Sequence, residues 1–268
     1  MLGDVVRGFR AAGVAVKILD GPIEPRARHI FQLDIRDSRL GEYVRVWPGA
    51  SDVEFDALDA DANFRQVVLR VREPRRRFED IVRHPWRDSR ENFERTTGLR
   101  VLRETPQQWV VERWTPSEER KYLCGFDETR LFIAQIPAGW SVTEAHAALM
   151  PREVREGRSA VRQGEWFFLR AERAEIEGLE AFAAVHPRCA RRDEPVGPGD
   201  HPHVADEVVR VDRRERRGRR EARFLDVFAR GRVRHVDHRE RLLSEWRRVV
   251  RNRAILPPPR EPRLRWID

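Results

Sequence analysis

With 268 residues, 40% hydrophobic and 9% aromatic, the chain can bury one large core or two modest ones, which excludes a disordered polymer. Charged residues make up 37% and the net charge is +8, while no stretch approaches the ~18 uninterrupted apolar residues of a membrane-spanning helix. Two cysteines, Cys124 and Cys189, cannot form a disulfide framework or an all-cysteine zinc site.

The N-terminal stretch carries Asp4 and Arg7 early and does not read as a signal peptide, so the expectation is a cytoplasmic protein without a membrane partner. Val5, Val6 and Phe9 at helical spacing before Gly13 predict a short leading helix over 4–12. Phe31, Leu33 and Ile35 alternate with polar residues across 29–36. Runs at 42–47, from Val53 to Phe55, and through Val67, Leu69 and Val71 share that character. Together they predict an antiparallel sheet with one wet face. Pro74 followed by three arginines marks a boundary, and 78–97 reads as irregular helix broken at His84-Pro85.

A second strand cluster follows at 108–114, 121–124 and 131–136. Ser141 with Glu144 three residues on is a capping-box pattern for a helix that Pro151 ends. The run 166–169 predicts a buried strand and 171–184 a helix, while the Pro- and Gly-rich segment 186–200 reads as a linker. Beyond it the pattern predicts a strand over 203–211, an Arg-rich bridge over 213–223 and an apolar run over 224–229. Leu242, Leu243, Trp246, Val249 and Val250 predict one helical face over 239–253, with a two-strand reading through Trp246 left open. The tail from Pro257 reads as extended. Trp114, Trp166 and Trp246 sit in apolar patterns and read as core anchors. The expected fold is α+β: an antiparallel β-rich unit over 1–74, a mixed unit over 75–185 that can share its core, and a basic β/α unit over 186–268.

The charge is unevenly placed. Residues 1–185 hold 30 Lys and Arg against 31 Asp and Glu, whereas 186–268 hold 23 Arg against 14 Asp and Glu, so the whole positive surplus belongs to the last third. Arg213, Arg214, Arg216, Arg217, Arg219, Arg220 and Arg223 face only Glu215 and Glu221 within eleven residues. With Arg247, Arg248 and Arg251 they form a counter-charge suited to a phosphate backbone, because each neutralised phosphate releases condensed counterion. The leading expectation is therefore a nucleic-acid-binding protein. A second is an interaction subunit that docks its basic end on an acidic protein partner.

Four of the eight histidines, His201, His203, His235 and His238, fall within 38 residues. Two pairs at short spacing can converge on one ion, and imidazole with carboxylate suits zinc, manganese or iron(II). The spacing His201-x-His203-x-x-x-Glu207 resembles the first metal motif of cupin barrels, though the flanking glycines are displaced and no second cupin motif follows. These residues allow another class, a metal-dependent phosphoesterase or nuclease with Glu207 or Asp237 as the base that activates water. They also allow histidines that only solvate a surface loop. No phosphate-binding Gly-rich loop, dinucleotide fingerprint, Gly-x-Ser-x-Gly elbow or His-Glu-x-x-His helix occurs. Cys124, in a strand context, reads as a core residue.

Overall fold

The computed structural model describes residues 2–23, 31–49, 52–83, 89–186, 190–198, 201–217 and 220–255; at 115, 213–217 and 220–224 it defines the backbone alone. It is 50% strand and 19% helix. The first part comprises α1 (Leu2–Ala11), β1 (Val16–Ile18), β2 (Gln32–Arg36), β3 (Tyr43–Trp47), β4 (Glu54–Asp61), β5 (Gln66–Glu73) and β6 (Arg76–Arg83). There follow α2 (Arg90–Thr97), β7 (Arg100–Glu104), β8 (Gln108–Thr115), β9 (Glu118–Asp127), β10 (Arg130–Ile136), α3 (Val142–Leu149) and α4 (Arg152–Arg155). The last part is β11 (Ala160–Gln163), β12 (Trp166–Arg170), α5 (Arg173–Val185), β13 (Arg191–Pro195), β14 (Val204–Arg217), β15 (Arg220–Arg234) and β16 (Arg241–Arg251).

Four sheets result, with strand orders β1-β3-β2, β10-β9-β5-β4, β6-β8-β7 and β11-β12-β16-β15-β14-β13. The four-stranded sheet is covered on both faces. On one face Val67, Leu69, Val71, Tyr122 and Leu131 pack against Val5 and Phe9 of α1 and against Leu33, Val44 and Val46. On the other, Val68, Leu123, Phe132 and Ala134 pack against Val142, Ala145 and Leu149 of α3. The wet face expected here is therefore absent. Val67, Val68 and Leu69 run without a polar interruption because both sides of β5 are buried, the pattern of a doubly covered strand.

The six-stranded sheet also has two packed faces. Trp166, Phe168, Val208, Ala229, Leu243 and Val249 form one cluster, and Val209, Phe228 and Trp246 meet Leu179 of α5 in another. Hydrogen bonding runs across both boundaries expected from sequence, since β5 pairs with β9 across residue 74 and β12 pairs with β16 across residue 185.

Several local expectations differ from what is found. Residues 239–253 contain β16 rather than a helix. Leu243 and Val249 lie on one side of the sheet, Trp246 on the other, and Leu242 is exposed, so a period of two prevails. The spacing fits both periods; ladder partners on both edges, β12 and β15, decide the outcome. Residues 76–83 form β6, paired along its length with β8, and helix begins only at α2, where the Ser89 hydroxyl accepts from Asn92 N at 3.2 Å. Within the expected linker, β13 adds an edge strand to β14. Trp166 and Trp246 are buried, whereas Trp114 is half exposed with the Arg75 guanidinium over its ring. Cys189, His84-Pro85 and the tail from Pro257 lie outside the described residues.

Trp246 is fully enclosed between the sheet and α5. The Trp246→Ala variant is expected to lose about 3–5 kcal/mol of stability, read as a fall in the urea midpoint; a loss below ~1 kcal/mol would show that the ring does not anchor this contact.

Candidate functional site

The β14–β15 hairpin organises both candidate sites. Val204 pairs with Arg234 at its base and Arg217 with Arg220 at its far end. At a rise of roughly 3.3 Å per residue, the two ends lie roughly 45 Å apart along the strands.

At the base, the pairing brings His203, just before β14, against His235, just after β15. His238, in the turn leading to β16, completes a group of three. One ring nitrogen from each lies within 4.8 Å of the others, and among the described residues no carboxylate or thiol joins them. The rings stack: His203 and His235 have centroids 4.1 Å apart at 17°, and His235 and His238 4.9 Å apart at 30°. His203 and His238 are buried. Burial, reinforced by the two neighbouring imidazoles, pushes the His203 pKa down to about 3, so its ring is neutral at ordinary pH. Neutral imidazole is the form that binds metal.

The surroundings orient the triad. His235 Nε2 lies 2.7 Å from the carbonyl oxygen of His201 and must donate to it, while His235 Nδ1 accepts from Asp237 N at 3.2 Å. That tautomer leaves Nδ1 with the lone pair. His201 itself is exposed and contributes its backbone, not its ring. Gly164, in the β11–β12 turn, presses on the other two: a Cβ there would fall 2.6 Å from His238 Nε2 and 3.1 Å from His203 Nε2. Gly164 has φ +56, so both conformation and space call for glycine. Its neighbour Gln163 is buried and donates through Nε2 to the carbonyls of Val233 and Arg239, at 3.2 and 2.7 Å, tying the turn to the histidine loop.

The β9–β10 turn docks on the same loop from the four-stranded sheet. Arg130 Nε donates to Asp237 Oδ1 at 3.0 Å, and Glu128 accepts from Arg239 N at 2.7 Å and from Arg241 at 3.1 Å. Neither base expected from sequence is free. Asp237 is held by Arg130, and Glu207, further along β14, accepts from Arg230 at 2.6 Å. The cupin-like spacing thus contributes only His203 to the triad. Sequence reasoning missed Gly164, Gln163 and Arg130, because what matters in each is proximity across strands and not local spacing.

The far end of the hairpin is different. β13 reaches only as far as Val208 and β16 only as far as Val227, so among the described residues the two strands pair only with each other from the Val211–Asp226 pair outward. Val211 and Leu225 are correspondingly exposed, at 37% and 63%. This two-stranded ribbon contains Arg213, Arg214, Arg216, Arg217, Arg220 and Arg223, and Arg219 lies outside the described residues. Register sets Arg214 opposite Arg223 and Arg217 opposite Arg220, with only Arg216 opposite a carboxylate, Glu221.

Arg247, Arg248 and Arg251 lie elsewhere, on β16, and each faces a carboxylate. Arg248 bonds Glu153 at 2.6 Å, Arg247 lies 3.5 Å from Glu245, and Arg251 sits 3.9 Å from Glu165 and over the Trp166 ring. Arg210, Arg230, Arg232, Arg234 and Arg241 likewise pair with carboxylates of this chain.

No protein-family model, curated protein or solved structure matches the chain. Among the described residues, no helix is long and apolar enough to cross a membrane.

Near the histidine end, the Asp206 carboxylate accepts from Arg232 N at 2.8 Å, and that bond, with Arg234 and Arg232 beside it, lowers its pKa. A lowered carboxylate pKa adds stability that is complete above the unfolded value and is lost as pH falls through the folded one. The gap in urea midpoint between wild type and Asp206→Asn is therefore expected to be widest near neutrality and to close below about pH 3.8. A gap that is constant with pH would exclude this carboxylate as its source.

Proposed function

We propose that the protein binds nucleic acid along its phosphate backbone, with the β14–β15 ribbon as the contacting element. The supporting observation is where the arginines concentrate along the hairpin. Arginines in the body of the six-stranded sheet meet carboxylates, while the ribbon sequence 213–223 has seven Arg against two Glu. Like charges at directly opposed strand positions oppose pairing, and an anionic ligand lying along the ribbon relieves that repulsion. A two-stranded ribbon also has the width that the major groove of a duplex admits. Contacts of this kind fix position along a backbone and carry little sequence information. Arg247, Arg248 and Arg251 are not part of this surface, since their charge is spent on Glu245, Glu153 and Glu165. A buried, reduced Cys124 accords with a cytoplasmic protein.

A metal-dependent phosphoesterase is the second reading, favoured by the convergence of His203, His235 and His238. It ranks lower because both carboxylates that could activate a bound water are engaged by guanidinium groups.

Fluorescence anisotropy with labelled duplex DNA, duplex RNA and single strands, over a salt series, tests the main reading. Engagement of six arginines gives a slope of about −5 for log affinity against log salt on B-form DNA. Replacing Arg213, Arg214, Arg216 and Arg217 by Ser is expected to reduce the slope by about 3–4. Affinity that the four substitutions leave unchanged would refute the reading, as would failure to bind any nucleic acid at low salt while an acidic protein binds.

A further inference from the structure

The histidine group at the base of the hairpin goes beyond the ribbon and does not depend on what the ribbon binds. We infer that His203, His235 and His238 form a three-imidazole site for one zinc ion that fastens the base of the β14–β15 hairpin and the loop leading to β16.

Four observations support the site. Three imidazoles from two separate stretches of chain bring ligand nitrogens within 4.8 Å of one another. His203 is 1% exposed, yet among the described residues its Nε2 has no hydrogen-bond partner. That nitrogen and His238 Nε2 both face the space in front of Gly164, where a side chain would collide with them. The third ring has its tautomer set by a backbone carbonyl, His235 Nε2 to His201 O at 2.7 Å, so its ligand atom is Nδ1, which the ion would take over from the long 3.2 Å bond that Nδ1 accepts from Asp237 N. Donation of the second ring nitrogen to a carbonyl is the usual support of a metal-bound histidine.

The donor set selects the ion. Three imidazoles with neither carboxylate nor thiolate suit zinc, which accepts nitrogen donors and a tetrahedral arrangement, over manganese or magnesium, which favour oxygen. The fourth position falls to water or another small ligand. The location selects the role. His203 lies on one side of the hairpin base, His235 and His238 on the other, and the loop between the latter two carries Asp237 to Arg130 and leads into Arg239, whose N–H reaches Glu128. An ion there ties the two strands together at the point where the four-stranded sheet docks. Because the candidate bases are occupied, the ion acts as a structural brace.

The test uses the full chain purified without a histidine tag. Elemental analysis is expected to give one zinc per chain, and the cobalt-substituted protein visible bands of a tetrahedral nitrogen site. Removal of metal with a chelator lowers the melting temperature, and zinc restores it. Zinc competition with a chromophoric indicator is expected to show His203→Asn and His238→Asn weakened by more than about 100-fold, beyond what loss of an outer partner produces. His201→Asn, which keeps the backbone carbonyl, retains wild-type affinity. If the histidine variants fail to fold, titration of chelated wild-type chain still decides the matter. No zinc uptake by that chain, or a melting temperature indifferent to zinc, overturns the inference, and so does stoichiometric iron or manganese in place of zinc. Nucleic-acid affinity does not enter this measurement, so either proposal can fail alone.

Discussion

The register of β14 on β15 determines where the chemistry of this chain lies. With Val204 opposite Arg234, the next residues outward on each strand, His203 and His235, meet at one end, and the arginines accumulate at the other. A slip of one residue would separate the two rings. It would also turn Val208, Val209 and Phe228 to the wrong faces, and since these fill cores on both sides of the sheet, the register is held by packing over its middle. The central apolar pairs thus position two polar ends that contribute little to folding themselves. Gly231 permits the irregularity in β15 that lets Asp206 reach the backbone of Arg232, at a point where a Cβ would come 2.6 Å from Asp206 Cβ.

Strand existence was legible wherever a strand has one covered face or a short apolar run, as at β3, β8, β10 and β12, and helix α3 was legible from its Ser141 cap. What could not be read was coverage. Val68 looks like an extra apolar residue in an alternating strand until α3 is seen on that face. Residues 242–250 satisfy helical and strand periods alike, and only the presence of β12 and β15 on either edge decides between them. The β6 segment failed for the same reason: its partners on β8 lie between Gln108, opposite Arg83, and Thr115, opposite Arg76, beyond any local window.

The candidate site was half legible. Clustering in sequence pointed to four histidines, and three of them meet. The fourth, His201, serves through its carbonyl, a role no side-chain pattern can reveal. Gly164, Gln163 and Arg130 reach the site from other strands. The charge surplus was visible as a property of the last third as a whole. Its cancellation in the body of the sheet was not, because carboxylates such as Glu128, Glu153, Glu165 and Glu180 come from earlier parts of the chain.

The clustering of arginine in the ribbon sequence bears on how the hairpin is stabilised. An isolated two-stranded hairpin is marginal in water, and opposed arginines make this one worse. Exposed ion pairs in the body of the sheet contribute little to stability, so they do not compensate for the ribbon. Stability must come from the apolar middle and from the base, where Gln163, Gly164 and the imidazoles close the strands together. The order of demands along the hairpin is then physical: a braced base, a packed middle, and a charged end whose repulsion is tolerable only because the other two hold the register. Fixing two strands at their base also limits the directions the ribbon can take, so the ribbon has less conformational freedom left to lose than a loose loop of the same length.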